Sequence, residues 1–104
     1  MNWGSMMKRQ TISCTTKLKA LADPTRLAVV QALMQGPKYV NELGSILKVE
    51  QSLLSHHLQV LRKMKLVEPI RDGKSIAYQL TAATQTEDNA IQLGCCSLSF
   101  PSKR

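Results

Sequence analysis

Three cysteines carry the most distinctive chemistry in this 104-residue sequence: Cys14, and the adjacent pair Cys95-Cys96. Neighbouring cysteines close only a small, strained ring with each other, so a mutual disulfide is a poor default. Two soft thiolates on one turn, eased by Gly94, are suited to gripping a thiophilic ion. A third thiolate completes a pyramidal site for trivalent arsenic or antimony, with other soft metal ions as further candidates, and Cys14 is the one residue that can supply it. The same thiols are open to two further readings. One is a redox or persulfide switch; the other is a set of inert apolar side chains.

A second group of residues has the chemistry of nucleic-acid contact. Gln51, Ser52, Ser55, His56 and Gln59 lie on one helical segment, away from an apolar stripe of Leu54, Leu58 and Leu61. Glutamine makes bidentate contacts to adenine, and serine and histidine meet either bases or phosphates. Local capping or simple exposure is the plainer reading of Ser52 and Ser55. His56 and His57 stand about 100° apart around a helix and are poorly placed to share one ion. Arg71 and Lys74 flank a turn from which they reach phosphates or a minor groove, unless that turn is merely solvated. Arg62 and Lys63 are further candidates for phosphate contact. Arg26, beside Pro24 at a helix start, is expected to hold a carboxylate or a carbonyl internally.

The charge agrees with a polyanionic partner. Lys and Arg number 14 against 7 Asp and Glu, a formal net charge of +7. Up to Leu80 there are 12 basic and 5 acidic residues, so the excess sits in the body and the remainder is neutral. Neutralising phosphates releases counterions and favours binding to double-stranded DNA. No apolar run approaches the roughly 20 residues needed to span a bilayer, and Met1 to Gln10 lack a signal peptide's apolar stretch. The expectation is a cytoplasmic protein without a membrane partner, whose cysteines read as thiols, ligands or sensors before structural disulfides.

These groups must be held by a small scaffold. Lys17 to Ala22 reads as the end of a first helix. Asp23 caps a second, with Pro24 at its first position, and Gly36-Pro37 stops it. Tyr39-Val40 is a short extended link, and Asn41 is placed to cap a third helix with Leu43, Ile46 and Leu47 inward. A fourth helix is expected from about Glu50 to Met64. Beyond it, Ile76, Tyr78 and Leu80 alternate as in a strand, and Asp72-Gly73 marks a hairpin. Pro69 confines its own strand to an edge or to a short pairing. The spacing predicts a mainly α fold with a small β-hairpin, a winged helix-turn-helix. Residues 1–16 precede a DNA-binding domain over 17–80, and a tail over 81–104 carries the Cys-Cys pair. A core of this size is marginal alone, which favours a homodimer.

Two stretches resemble the ArsR/SmtB family of winged-helix repressors. Leu18-Lys19-Ala20-Leu21-Ala22-Asp23-Pro24-Thr25-Arg26-Leu27 is similar to its opening signature, and Ser52-Leu53-Leu54-Ser55-His56-His57-Leu58-Gln59-Val60-Leu61 to its recognition helix. Asp72-Gly73-Lys74 with Tyr78-Gln79-Leu80 resembles its wing. The resemblance implies a cytoplasmic homodimer that represses an operator and releases it when an effector binds, often a metal or metalloid ion. Three positions depart from the family pattern. Lys65 stands where a glycine usually follows the recognition helix, the third helix lacks the family's thiols, and no histidine follows His57 to build a zinc site. What remains is similar to the arsenic-sensing branch, whose cysteine sites sit at different places on the shared fold. The expected function is a repressor released by arsenite or antimonite at Cys14, Cys95 and Cys96. The alternatives are a redox-responsive repressor and a DNA-binding module with no sensor. A thiol oxidoreductase fits poorly, because the cysteines are adjacent rather than in a Cys-x-x-Cys.

Overall fold

The computed structural model describes residues 12–101; residues 1–11 of the N-terminal segment and 102–104 of the tail lie outside the described residues. Helix α1 spans Cys14–Leu21 and starts at Ser13, whose Oγ accepts from the Thr16 amide at 3.2 Å. Helix α2 spans Pro24–Leu33. Its cap is Asp23, whose carboxylate accepts from the Thr25 and Arg26 amides at 2.9 and 3.0 Å. Strand β1 (Lys38–Tyr39) leads directly into α3 (Val40–Leu47). That helix begins two residues earlier than an Asn41 cap implies. The Glu42 carboxylate reaches back to accept from the Tyr39 amide at 2.8 Å, which satisfies the helix start from inside.

Helix α4 spans Gln51–Lys63 and closes with a Schellman arrangement: the Leu66 amide donates to Leu61 O at 3.1 Å and the Lys65 amide to Arg62 O at 2.9 Å. Lys65 occupies the left-handed position at φ 64°, the conformation for which glycine is favoured.

Strands β2 (Val67–Asp72) and β3 (Ser75–Leu80) form the wing, and β1 adds to the far side of β3, giving the antiparallel order β1-β3-β2. Pro69 lies on edge strand β2 opposite Tyr78, where its missing amide breaks no central ladder. Asp72 pairs with Ser75, so the two-residue loop is Gly73-Lys74, one residue beyond the Asp72-Gly73 expected. Gly73 supplies the positive φ that the turn needs.

The tail forms a second hairpin, β4 (Ala90–Gln92) and β5 (Ser97–Ser99), with Ile91 opposite Leu98. Leu93 to Cys96 make its turn, closed by the Leu93 amide on Cys96 O at 2.8 Å, with Gly94 at φ 95°. Ile91 and Leu93 are buried and join Leu21, Val30, Leu43, Leu54, Leu58 and Leu61 in one core. The tail therefore packs onto the helical body. Ile46, expected inward, is 52% exposed; Leu43 and Leu47, four residues apart, occupy the inner stripe of this short helix instead. No helix among the described residues is long and apolar enough to cross a membrane.

Candidate nucleic-acid interface and thiol cluster

Gln51, Ser55 and Gln59 are spaced by four and form one exposed row on α4. Across from them stand Lys74 of the wing turn and Ser75 of β3, and the two sides enclose an open cleft of about 390 Å³. Tyr39 and Asn41, at the entry to α3, complete its wall. Donors and acceptors share the lining with apolar Val40, Leu58 and Ile76, and Lys74 is exposed beside them. Such a surface is suited to hydrogen-bonding base edges and a phosphodiester strand.

The structure brings four of the seven proposed contact residues to this cleft. The other three lie apart. Ser52 and His56 form the adjacent exposed row of α4. The Ser52 hydroxyl is engaged, donating to the Glu50 carboxylate at 2.6 Å, and this bond holds the Glu50 carboxyl below its ordinary value. Arg71 is exposed on β2 and borders a separate groove with Asp72 and Ala77. Tyr39, Asn41 and Ser75 are not among the contact residues expected from the sequence. The Tyr39 hydroxyl donates to the Asp72 carboxylate, which fastens β1 to the tip of the wing and raises the Tyr39 phenol above its ordinary value. The only sequence signal for that contact was an aromatic residue beside a helix cap.

The two histidines divide their roles. His57 is 7% exposed, and its Nδ1 stands 3.1 Å from Nη1 of Arg26. Guanidinium has no acceptor, so Nδ1 accepts and the ring carries its proton on Nε2. Arg26 also donates from Nε to Ala20 O at 2.6 Å, the internal carbonyl contact expected of it. Asp23, beside it, has its carboxyl lowered, first by the Arg26 amide.

The cysteines meet at the opposite end of α1. Cys14 opens that helix, and Cys95 and Cys96 close the tail hairpin. Cys14 and Cys95 form a disulfide with 6.1 Å between Cα atoms. The free thiol of Cys96 is exposed and lies 3.6 Å from Cys14 Sγ and 3.9 Å from Cys95 Sγ. All three sulfurs fall within 4.8 Å of one another, and all come from a single chain. Lys17 reinforces the junction by donating from Nζ to Leu93 O at 3.0 Å. Thiolates about 2.3 Å from a soft ion at a near-tetrahedral angle stand about 3.8 Å apart. The two Cys96 separations match that span, so after reduction of the Cys14–Cys95 bond the residues fit a three-sulfur site.

The arrangement has relatives. Residues 23–68 match the family described as "Bacterial regulatory protein, arsR family". The biofilm growth-associated repressor of Agrobacterium fabrum is 37% identical over 87 residues, covering 84% of this chain and 70% of that protein. The chain belongs to the ArsR family. The regulator NmtR of Mycobacterium tuberculosis is 45% identical over 76 residues, covering 71% of this chain. Only 63% of NmtR is spanned. The crystal structure of the repressor BigR from Xylella fastidiosa superposes with a TM-score of 0.65 at 39% identity, over 77% of this chain and 78% of that one. These relatives are named as regulators and repressors, not as enzymes, and the fold they share is the winged helix-turn-helix described above.

Proposed function

We propose that this ArsR-family chain is a cytoplasmic transcriptional repressor. In this reading residues 17–80 bind double-stranded operator DNA as a homodimer, and the tail over 81–104 regulates that binding. Gln51, Ser55 and Gln59 read base edges; Lys74, with Arg71 and the Ser52-His56 row, holds the phosphates. The effector is a trivalent arsenic or antimony ion taken by Cys14, Cys95 and Cys96. The observation that carries the reading is the convergence of these three sulfurs between the first helix and the tail.

The mechanism follows from what the residues tie together. A dimer binds DNA best when its recognition helices stand about 34 Å apart, one turn of the duplex. Once reduced, Cys14, Cys95 and Cys96 offer three thiolates, and clasping an ion draws the start of α1 against the tail. That favours a dimer geometry other than the DNA-bound one. Weakening the operator complex a hundredfold takes about 2.7 kcal/mol of coupling.

The Cys14–Cys95 bond favours a second reading on the same residues. Here two thiols give up two protons and two electrons to an oxidant such as hydrogen peroxide, which leaves as two waters, and the new bond replaces the ion as the clasp.

Fluorescence anisotropy with duplexes selected from a random pool, at two salt concentrations, tests the DNA half. No binding at low salt, or no salt slope, removes it. Adding arsenite to the reduced protein, with bound arsenic and free thiols counted, tests the sensor half. Release by arsenite that disappears in Cys95→Ser and Cys96→Ser supports the metalloid. Release by peroxide alone supports the redox reading, and release by neither leaves a DNA-binding module without a sensor.

A further inference from the structure

Arg26 is not part of the DNA-facing cleft or the thiol cluster, yet it touches the elements that carry both. From α2 it donates Nε to Ala20 O in the last turn of α1 and Nη1 to His57 Nδ1 in the middle of α4. Its own amide is fixed by Asp23 Oδ1. Helix α1 is only eight residues long. Its other end is held to the tail by Cys14–Cys95 and by Lys17 on Leu93 O. A short helix pinned at both ends moves as one body, so a shift at Cys14 arrives at Ala20 O.

The geometry points to Arg26 as a positioning residue that sets the seat of the recognition helix through His57 and relays to it the position of α1. His57 is buried, with one ring nitrogen satisfied by a guanidinium that needs a lone pair there. If α1 withdraws Ala20 O, the Arg26 fork loses the partner that orients it, and the bond to His57 must lengthen or rotate. His57 lies beside His56 and two residues before Gln59, so its displacement carries the outward rows of α4 with it. This rests on the reading of α4 as the DNA-reading helix, but the clip itself is independent of that reading.

The test is nitrogen-15 NMR of the histidine rings in the full chain, with the Cys14–Cys95 bond intact and after its reduction. In the wild type, His57 should show the neutral pattern protonated at Nε2, and its signals should move on reduction while those of exposed His56 stay put. In Arg26→Lys, which keeps the charge but not the two-pronged geometry, the tautomer preference should fall toward that of His56 and the response to reduction should vanish. Duplex affinity should fall about tenfold in Arg26→Lys and in His57→Leu, the scale of one hydrogen bond to a charged group. His57→Gln keeps an acceptor for Arg26 and should stay within about twofold of wild type, a rescue that a mere packing role would not give. Should Arg26→Lys fail to fold, the His57→Leu and His57→Gln pair decides the question alone. Signals of His57 that ignore reduction, or that ignore Arg26→Lys, overturn the proposal, as does equal DNA binding by His57→Leu and the wild type. If the wild type binds no duplex at all, the repressor reading fails while the NMR experiment still judges the clip.

Discussion

Reducing the Cys14–Cys95 bond should unfold much of the margin by which this chain holds together. The two residues are 81 apart in sequence, so the bond closes a loop that takes in nearly every described element. In the chain-entropy treatment a loop of that length removes about 15 cal/mol/K from the unfolded ensemble, or about 4.5 kcal/mol at 25 °C. A domain of this size has about 5–15 kcal/mol in total. At about 4–8 °C per kcal/mol, the melting midpoint should drop by roughly 20–35 °C on reduction. The assay is thermal unfolding by circular dichroism, oxidised and reduced, at one fixed protein concentration because association shifts the midpoint. Cys14→Ser should melt like the reduced protein. Cys96→Ser should keep the oxidised midpoint, since its thiol is outside the bond. Arsenite added to reduced wild type should recover part of the loss by closing the same loop. Oxidised and reduced midpoints within about 2 °C of each other would refute the reasoning, because the tether would then not restrain the chain in solution.

Lys74→Ala should lower the slope of log affinity against log salt by about 0.9, the share of one phosphate, measured by anisotropy between low and moderate salt. Leu54→Ala, at a fully buried site, should cost about 2–5 kcal/mol in urea denaturation, with DNA affinity restored once the folded fraction is accounted for. Lys65→Gly should instead stabilise by about 0.5–1 kcal/mol, since the residue sits at φ 64° at the end of α4. Asp23→Ala should cost about 1 kcal/mol at pH 7 through loss of the α2 cap. Because the Arg26 amide holds the Asp23 carboxyl below its ordinary 3.8, the wild-type advantage is present above that pH and is lost as pH falls through the lower folded value. The gap between the two proteins, followed by denaturation from pH 7 to pH 2, should close at the acid end.

Local chemistry made the helical body legible. Asp23-Pro24 announced a cap, the Leu54-Leu58-Leu61 spacing a buried face, and Gly73 a turn, and each of these signals is contained within a few residues. The misplacements came where a distant partner competed with a local one. Asn41 was a sound cap in isolation, but pairing of Lys38–Tyr39 with β3 fixed the extended backbone earlier, and Glu42 then completed the start. The tail was illegible for the same reason. Its polar start and Cys-Cys pair say nothing about pairing Ala90–Gln92 with Ser97–Ser99, and the burial of Ile91 and Leu93 depends on a groove made by other elements. Adjacency of Cys95 and Cys96 forbade an easy mutual bond, whereas their approach to Cys14 required the whole fold.

If the thiols govern DNA binding as proposed, the contacts along α1 set how much of that control passes through Arg26. Links in series transmit no more free energy than the weakest of them holds. At the thiol end a covalent bond or several metal–sulfur bonds are not limiting. At the recognition end the polar link is one hydrogen bond from a guanidinium to a neutral ring, beside the apolar core that Leu21 shares with Leu54, Leu58 and Leu61. Such bonds contribute about 1.5–3 kcal/mol, so the share of the effect that passes through this one is roughly tenfold to 150-fold for each chain. A homodimer that switches both chains together can reach the product of two such factors. A measured ratio of affinities within the single-chain range is reached by one strong clip or by two weaker ones. A ratio above it requires both clips to act in concert, and Arg26→Lys in one subunit of a mixed dimer should bring that ratio back to the single-chain range.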